Sequence, residues 1–394
     1  MIIGMPTTSY PAHEGDASGA FVRTLAVALA RRGHRVEVLA PSVRGEQIVH
    51  DPGVRVTRVR YAPRALERTF GGHGAPDNLR TDPTSWPGAV AFPLALARAI
   101  RAHRSSWDAI VSHWLAPTAM VAGRLADGRP HLAIVHGTDA DLVARVPGLR
   151  DRALRSADTI AFVSSALASR LAVEGAFVQP MGIDRDETLS IDRDAARRRM
   201  NLDGFIALAL ARLVPIKGLD RAIEAARIAN VALVIAGEGP ERATLERRAA
   251  GANVRFVGHV SGEDRLALLR GCDAFLAPSR ALGARTEGTP TAVLEALAAS
   301  LPIVGTRIAG IADVVPPDAG LLSDGSADAL ARDLSRLVHD APLRTSLALG
   351  ARRASIPFDA DRVAARFERV LQGSTRIASA GKGGASALSA TRDG

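Results

Sequence analysis

Glu287 and Glu295 bracket the segment Gly288-Thr289-Pro290. Thr289 is a favoured N-cap residue, and Pro290 suits the first helical position, where its missing N–H costs nothing. These signals predict a helix running to about Ser300, stopped before Pro302 and followed by an apolar strand over Ile303–Gly305. Glu287 then precedes the helix, and Glu295 lies about a turn and a half inside it. Between them the free N–H groups of the first turn favour an anion. Ala292, Val293, Ala296 and Leu297 surround Glu295, so its carboxylate is expected to be half-buried and to need a partner. For Glu287 a solvated surface position is an equally good reading. Arg212 and Lys217 fall in a loop between a strand, Phe205–Leu210, and a helix, Leu219–Ala229. Cations placed there can neutralise a diphosphate. Carboxylates at the ends and cations in the middle suit one ligand with hydroxyls at both ends and phosphates between, the layout of a nucleotide-diphosphate sugar. His136 ends the strand His131–His136, at the carboxyl edge where parallel sheets bind ligands. A histidine hydrogen-bonded to backbone is the plainer reading of that imidazole.

Such groups need a scaffold of alternating strands and helices, and the chain supplies it twice. Met1–Met5 reads as a strand, Pro6–Ser18 as a loop carrying Gly15, Gly19–Arg32 as a helix and Arg35–Ala40 as a strand. This order opens a doubly wound α/β domain. Its glycines do not spell the G-x-G-x-x-G dinucleotide fingerprint, which speaks against a dehydrogenase. After the strand Val54–Val59 comes an irregular stretch, Tyr61–Pro87, whose Arg64, Arg68 and Arg80 suit an anionic acceptor as well as they suit a loose insertion. Helices are expected over Ala89–His103 and Leu115–Ala126, and a strand over Ala109–His113 ending in Ser112-His113-Trp114. Strands Thr159–Val163 and Ala176–Gln179 follow, and Gln179–Asp184 breaks the alternation. The second half restarts it. Val231–Ala236 is closed by Gly237-Glu-Gly-Pro240, Val254–Val257 runs into Gly258-His259-Val260, and Ala274–Ala277 precedes the Glu287 loop. Closing helices are expected over Ala327–Val338 and Pro357–Leu371. The expected domains are residues 1–183 and 184–357, with 358–373 a helix crossing back to the first domain and 374–394 a disordered Ser/Ala/Gly-rich tail.

With 394 residues, 47% apolar and 23% charged, the composition is that of a soluble two-domain protein. A net charge of +9 comes almost wholly from arginine, since Lys217 and Lys382 are the only lysines. Without aromatic–basic interleaving or a helix-turn-helix pattern, that charge does not indicate nucleic acid. Attraction to phosphate-bearing ligands or an anionic membrane surface fits it better. No apolar run approaches the ~20 residues of a membrane span, and Met1-Ile-Ile-Gly reads as a first strand instead of a leader. One cysteine, Cys272, excludes an internal disulfide and fits a cytoplasmic location, with the inner membrane surface open as a working site. Asp-x-Asp recurs at Asp139/Asp141, Asp184/Asp186, Asp192/Asp194 and Asp359/Asp361, in settings too dissimilar to mark a metal site.

Four motifs in order carry a resemblance: Ala-Arg-Leu-Val-Pro-Ile-Lys-Gly-Leu-Asp (211–220), Gly-Glu-Gly-Pro (237–240), Phe-Val-Gly-His-Val (256–260) and Glu-x7-Glu (287–295). Together they resemble the retaining, nucleotide-sugar-dependent glycosyltransferases of family 4, which have the GT-B fold of two Rossmann-like domains facing a cleft. The Gly15/Gly19 loop, Gly33-His-Arg-Val, His136-Gly, Val163-Ser-Ser-Ala-Leu and Met181-Gly-Ile-Asp agree, so the likeness spans roughly residues 1–373. The resemblance implies that Arg212 and Lys217 bind the donor diphosphate, Glu295 the ribose and Glu287 the transferred sugar. Gly288, Thr289 and Pro290 would line the sugar and phosphate pocket, and Val257, His259 and Val260 would face the base. His136 and the loop of Gly15 and Gly19 would close over the donor. It further implies hexose transfer to a hydroxyl acceptor (a glycan, a lipid-linked acceptor or a small molecule) without a metal or other cofactor, with UDP-glucose and GDP-mannose both reasonable donors. Ala211, Asp16, Ser300 and Asp313 depart from common family residues, and Asp16 leaves the phosphate-contacting glycine undefined. The alternatives of the same fold are a nucleotide-sugar epimerase and a non-catalytic nucleotide-sugar-binding protein.

Overall fold

Two parallel sheets organise the chain in a computed structural model that describes residues 1–380, apart from 48, 72–73 and 283–287. The first contains β1 (Ile2–Pro6), β2 (Arg35–Pro41), β3 (Val54–Val59), β4 (Ala109–His113), β5 (His131–Val135), β6 (Thr159–Phe162) and β7 (Phe177–Val178). Its strand order is β3-β2-β1-β4-β5-β6-β7. The second contains β8 (Ile206–Leu210), β9 (Ala232–Ala236), β10 (Val254–Gly258), β11 (Ala274–Ala277), β12 (Ile303–Thr306) and β13 (Gly320–Ser323). Its order, β10-β9-β8-β11-β12-β13, repeats the first. Helices cover both faces, which is why β4, β5, β11 and β12 are buried along their whole length and lack polar alternation. This is the α/β architecture of two Rossmann-like units expected from the sequence. In each sheet the strand order reverses once, between β1 and β4 and between β8 and β11, and a crevice opens at the carboxyl ends there.

The end of the chain returns to its beginning. In the helix Ala360–Ala380, Val363, Ala364, Phe367 and Leu371 are buried in the first core, beside Val22, Leu25 and Leu29 of the helix Ala20–Arg31. Ile183 N–H donates to Phe358 O at 2.9 Å and Ala360 N–H to Ile183 O at 2.9 Å, so both crossings between the sheets run side by side. Arg32–Glu368 at 2.6 Å and Arg31–Asp361 at 3.1 Å fasten the returning helix from outside.

Several local expectations are corrected. The helix expected over Leu115–Ala126 is broken: Ala116 departs from helical dihedrals and the last helical residue is Gly123. Pro117 disfavours the helical region for the residue before it. Tyr61–Pro87 is largely ordered, with short helices at Arg64–Leu66, Ala75–Thr81 and Pro83–Ser85. Tyr61 and Phe70 anchor it, their rings at 5.9 and 4.6 Å from Phe92. The returning helix begins at Ala360, not Pro357, and continues through 374–380, where a disordered tail was expected. Residues 381–394 of that expected tail lie outside the described residues. A helix at Ala341–Ala354 was not anticipated.

Phe367→Ala is expected to destabilise the protein by about 3–5 kcal/mol, read as a lower urea midpoint. An unchanged midpoint would show that the returning helix contributes nothing to the first core.

Candidate functional site

At the reversal point of the second sheet, the loop after β8 carries cations and the loop after β11 leads to a helix N-terminus. After β8, Pro215–Lys217 forms a single tight turn closed by Gly218 at φ 64°. A side chain at Gly218 would strike the Pro278 carbonyl, since an ideal Cβ stands 2.1 Å from that oxygen. Arg280, in the segment after β11, locks the turn from the other side. Its backbone N–H donates to Ile216 O at 2.9 Å and its Nε to Pro215 O at 2.8 Å, while its guanidinium grips Asp220 at 2.8 and 3.2 Å. Lys217 is thereby fixed on a rigid turn, half-buried, with Arg212 exposed at the head of the same loop.

The helix after β11 spans Thr291–Ala298, one residue later than expected, with Pro290 in the N-cap position. Thr289 does not cap it. Its hydroxyl reaches across to the first domain and donates to Val163 O at 2.6 Å. Gly288 lies against the same neighbour: an ideal Cβ there stands 3.1 Å from His136 O and 3.3 Å from Val163 Cγ2. The two domains therefore meet at the mouth formed by this helix. Ser165 N–H and Oγ both donate to the Asp313 carboxylate at 2.7 Å, and His259 Nε2 lies 3.4 Å from Gly15 O. An ideal Cβ on Gly15 would approach Ser261 Oγ to 2.9 Å, which places the Gly15 loop directly over the loop after β10. Gly19 lies farther back, packed on the Ser9 and Tyr10 backbone at the start of the helix Ala20–Arg31. Val257 and Val260 are partly buried against the second core, leaving His259 as the exposed member of that trio.

Glu295 finds the partner that its burial demands. Arg265, on the helix Gly262–Gly271, pairs with its Oε1. Burial raises the Glu295 carboxyl above its ordinary range, and Arg265 offsets part of that rise. The other carboxylate, Glu287, lies outside the described residues.

On the first domain, His136 is enclosed by rings. Phe21 and Trp114 each have centroids 4.8 Å from it, and His113 lies within 15° of its plane with Nδ1 2.9 Å from His136 Nε2. Beneath them Asp139 is buried, its carboxylate accepting from Leu115 N–H at 2.7 Å, Gly137 N–H at 2.9 Å and His136 N–H at 3.3 Å. One side chain thus ties the turns after β4 and β5 into a single surface. Burial lowers the titration of His136 well below its ordinary value, with the neighbouring His113 adding to the shift. Burial likewise pushes His113 to about 3 and His131 to about 4.

The structure thus brings His136, Gly288 and Thr289 together and sets Gly15 beside His259, with Arg212 and Lys217 on the loop after β8, the strand paired with β11. Sequence reasoning missed Arg265, Arg280, Asp139 and the Ser165–Asp313 bridge. Asp139 left a trace as one of the Asp-x-Asp pairs set aside, and Ser165 and Asp313 stood at motif positions without any sign that they pair. Arg265 and Arg280 have no spacing that would mark them. Among the described residues no group of three or more His, Cys, Asp or Glu could hold a metal ion.

Two family models match the chain in tandem: a glycosyl transferase 4-like domain over residues 17–181 and glycosyl transferases group 1 over residues 190–354. The chain is 28% identical over 317 residues to a GDP-mannose-dependent monoacylated alpha-(1-6)-phosphatidylinositol monomannoside mannosyltransferase of Corynebacterium glutamicum, covering 72% of this chain and 81% of that protein. It is 25% identical to a putative teichuronic acid biosynthesis glycosyltransferase, TuaC, of Bacillus subtilis, over 85% of this chain and 88% of the relative. Among solved structures, sucrose-phosphate synthase of Thermosynechococcus elongatus superposes with a TM-score of 0.75 at 19% identity, covering 95% of this chain and 99% of that one.

The buried histidines set an acid limit on stability. A folded pKa depressed below the ordinary imidazole value of 6.5 gives stability that is complete above that pH and lost as pH falls toward about 4 for His131. The urea midpoint is expected to fall between pH 7 and pH 5, and less steeply in His131→Gln. A midpoint that is flat across this range, or a slope unchanged by the substitution, would contradict the assignment.

Proposed function

The chain belongs to the group 1 glycosyltransferases with a 4-like N-terminal domain and the GT-B fold, and on that premise we propose that it transfers mannose from GDP-mannose, with retention, to a hydroxyl of a lipid-linked acceptor. The observation that carries this reading is the junction of Gly288 and Thr289 with His136 and Val163; Arg212 and Lys217 lie on the loop after β8, the strand paired with β11. A donor diphosphate at that mouth would meet two cations and the N–H groups of the helix Thr291–Ala298.

The mechanism follows from where charge develops. Breaking the bond between the sugar C1 and the phosphate oxygen leaves positive charge on the sugar and negative charge on the diphosphate. The turn that carries Lys217 and the helix N-terminus are held by the fold before the reaction begins, with Arg212 at the head of the same loop, so they stabilise the leaving group with little reorganisation. They also supply the positive charge that a metal would otherwise bring, and on this reading no metal or other cofactor is required. The acceptor hydroxyl attacks from the face the phosphate leaves, and a phosphate oxygen takes its proton. Glu295 is assigned to the ribose hydroxyls through Oε2, since Arg265 takes Oε1. Glu287 is assigned to the transferred sugar, and His259 with Val257 and Val260 to the base. His136 and the Gly15–Gly19 loop cover the donor from the acceptor side. The choice of mannose and GDP rests on the named activity of the Corynebacterium relative. An epimerase would need acid and base groups around the sugar, and the relatives that the chain resembles are named as glycosyltransferases instead.

A lipid-linked acceptor is supported by the outer face of the first domain. Along the helix Trp86–His103, Trp86, Val90 and Leu94 recur every fourth residue and are 57%, 71% and 65% exposed. Arg98 and Arg101 continue the face, exposed, with Arg64 and Arg68 exposed in the segment before it. Apolar residues flanked by arginines match an anionic bilayer surface. No helix among the described residues is long and apolar enough to cross a membrane, so this contact would be peripheral.

Binding of GDP-mannose, UDP-glucose and other nucleotide sugars in EDTA tests the donor assignment. GDP-mannose is expected to bind without metal. Lys217→Ala should lower kcat by about 100-fold or more, and Glu295→Ala should raise the donor KM. Binding of no nucleotide sugar, or unchanged kinetics in both variants, would refute it. Vesicles containing anionic phospholipid should retain the protein where neutral vesicles do not, and Trp86→Ala with Leu94→Ser should release it. Equal partition to both vesicle types would contradict the membrane assignment.

A further inference from the structure

His113 has no role in the donor scheme, yet it is fully buried at the end of β4 with its ring end-on to His136. Both imidazoles are neutral at neutral pH, because burial opposes their charged forms. One proton therefore occupies the 2.9 Å line between His113 Nδ1 and His136 Nε2. Which ring carries it follows from the opposite side of His113. There Nε2 is sealed from solvent and meets no hydrogen-bond partner among the described residues. A buried N–H without an acceptor is costlier and rarer than a buried lone pair without a donor. The His113 proton accordingly sits on Nδ1 and is donated to His136. His136 Nε2 then only accepts, and its own proton must reside on Nδ1. That nitrogen adjoins the His136 backbone, whose carbonyl lies against Gly288 at the domain junction. Phe21 and Trp114 pack around the His136 ring and hinder its flipping.

We propose that His113 is a positioning residue: it locks His136 into the Nδ1–H tautomer, so that His136 offers a hydrogen-bond donor to a hydroxyl or phosphate oxygen of the ligand bound between the domains. The ligand's identity rests on the glycosyl-transfer reading, whereas the tautomer does not. Asp139 reinforces the lock, holding the His136 backbone and the Leu115 N–H after β4 on one carboxylate.

The test is the nitrogen chemical shifts of the full chain labelled with 15N-histidine, at pH 7.5, with the His136 signals identified by their loss in His136→Asn. Protonated Nδ1 and unprotonated Nε2 are expected in both His113 and His136, and a His136 protonated on Nε2 overturns the proposal. Two substitutions then read the consequence. His113→Asn keeps an N–H near the position of Nδ1 and should hold kcat within about threefold. His113→Asp presents only an acceptor; it should reverse the His136 tautomer and lower kcat about 100-fold with the GDP-mannose KM little changed. Thermal unfolding confirms that each variant is folded. An Asn variant as impaired as the Asp variant would reduce His113 to packing, and an Asp variant as active as wild type would remove it from the reaction. Should no nucleotide sugar bind to the wild type, the glycosyl-transfer reading fails and the nitrogen shifts alone decide the role of His113.

Discussion

The site depends on how closely the two domains approach at Gly288. Any side chain there would press on His136 O and Val163, and the Thr289 hydroxyl already spends its hydrogen bond on Val163 O. Backbone therefore meets backbone across the cleft, and the N-terminus of the helix Thr291–Ala298 opens directly onto the first domain. The field of a helix terminus fades within a turn, so it acts on a ligand only at this range. The glycine and threonine make that range available. The Ser165–Asp313 bridge and the Gly15–His259 contact hold the same approach at two other points. None of these is large enough to weld the domains, which suits a cleft that must open to exchange ligands.

Each domain contributes what its sheet topology permits. In both, the candidate site residues lie beside the strand-order reversal: Arg212 and Lys217 after β8, Gly288 to Pro290 after β11, the Gly15 loop after β1, and His113-Trp114 at the end of β4. Rigidity comes from side chains beneath them. Arg280 pins the Lys217 turn through two carbonyls and Asp220, and Asp139 pins the turns after β4 and β5 through backbone N–H groups. The returning helix, seated in the first core, links the start of the second domain to the first through Ile183 and Ala360, and so restrains any hinge motion near that crossing.

Much of this was legible in the sequence because it is local. Apolar runs, glycine punctuation and loop cations located the strands, the helices and the loops of Arg212 and Lys217. The half-buried carboxylate of Glu295 could be foreseen from its apolar neighbours, but its partner could not. Arg265 meets it only because two helices of the second domain pack side by side. Thr289 was misjudged for the same reason: a local cap was outcompeted by a carbonyl on another domain. The Tyr61–Pro87 segment looked irregular because Pro and Gly break its periodicity, while the Tyr61, Phe70 and Phe92 cluster that orders it is tertiary. Contacts made by two segments meeting were not readable, and two local features, the break before Pro117 and the helix Ala341–Ala354, were also missed.

On this reading one ligand bridges both domains at the Gly288 junction. Amide hydrogen exchange with and without GDP-mannose tests it most directly. Joint protection of His136–Gly137, Val163–Ser165 and Gly288–Leu294, on both sides of the cleft, is the expected result. Protection confined to one domain, or lying away from this junction, would contradict it.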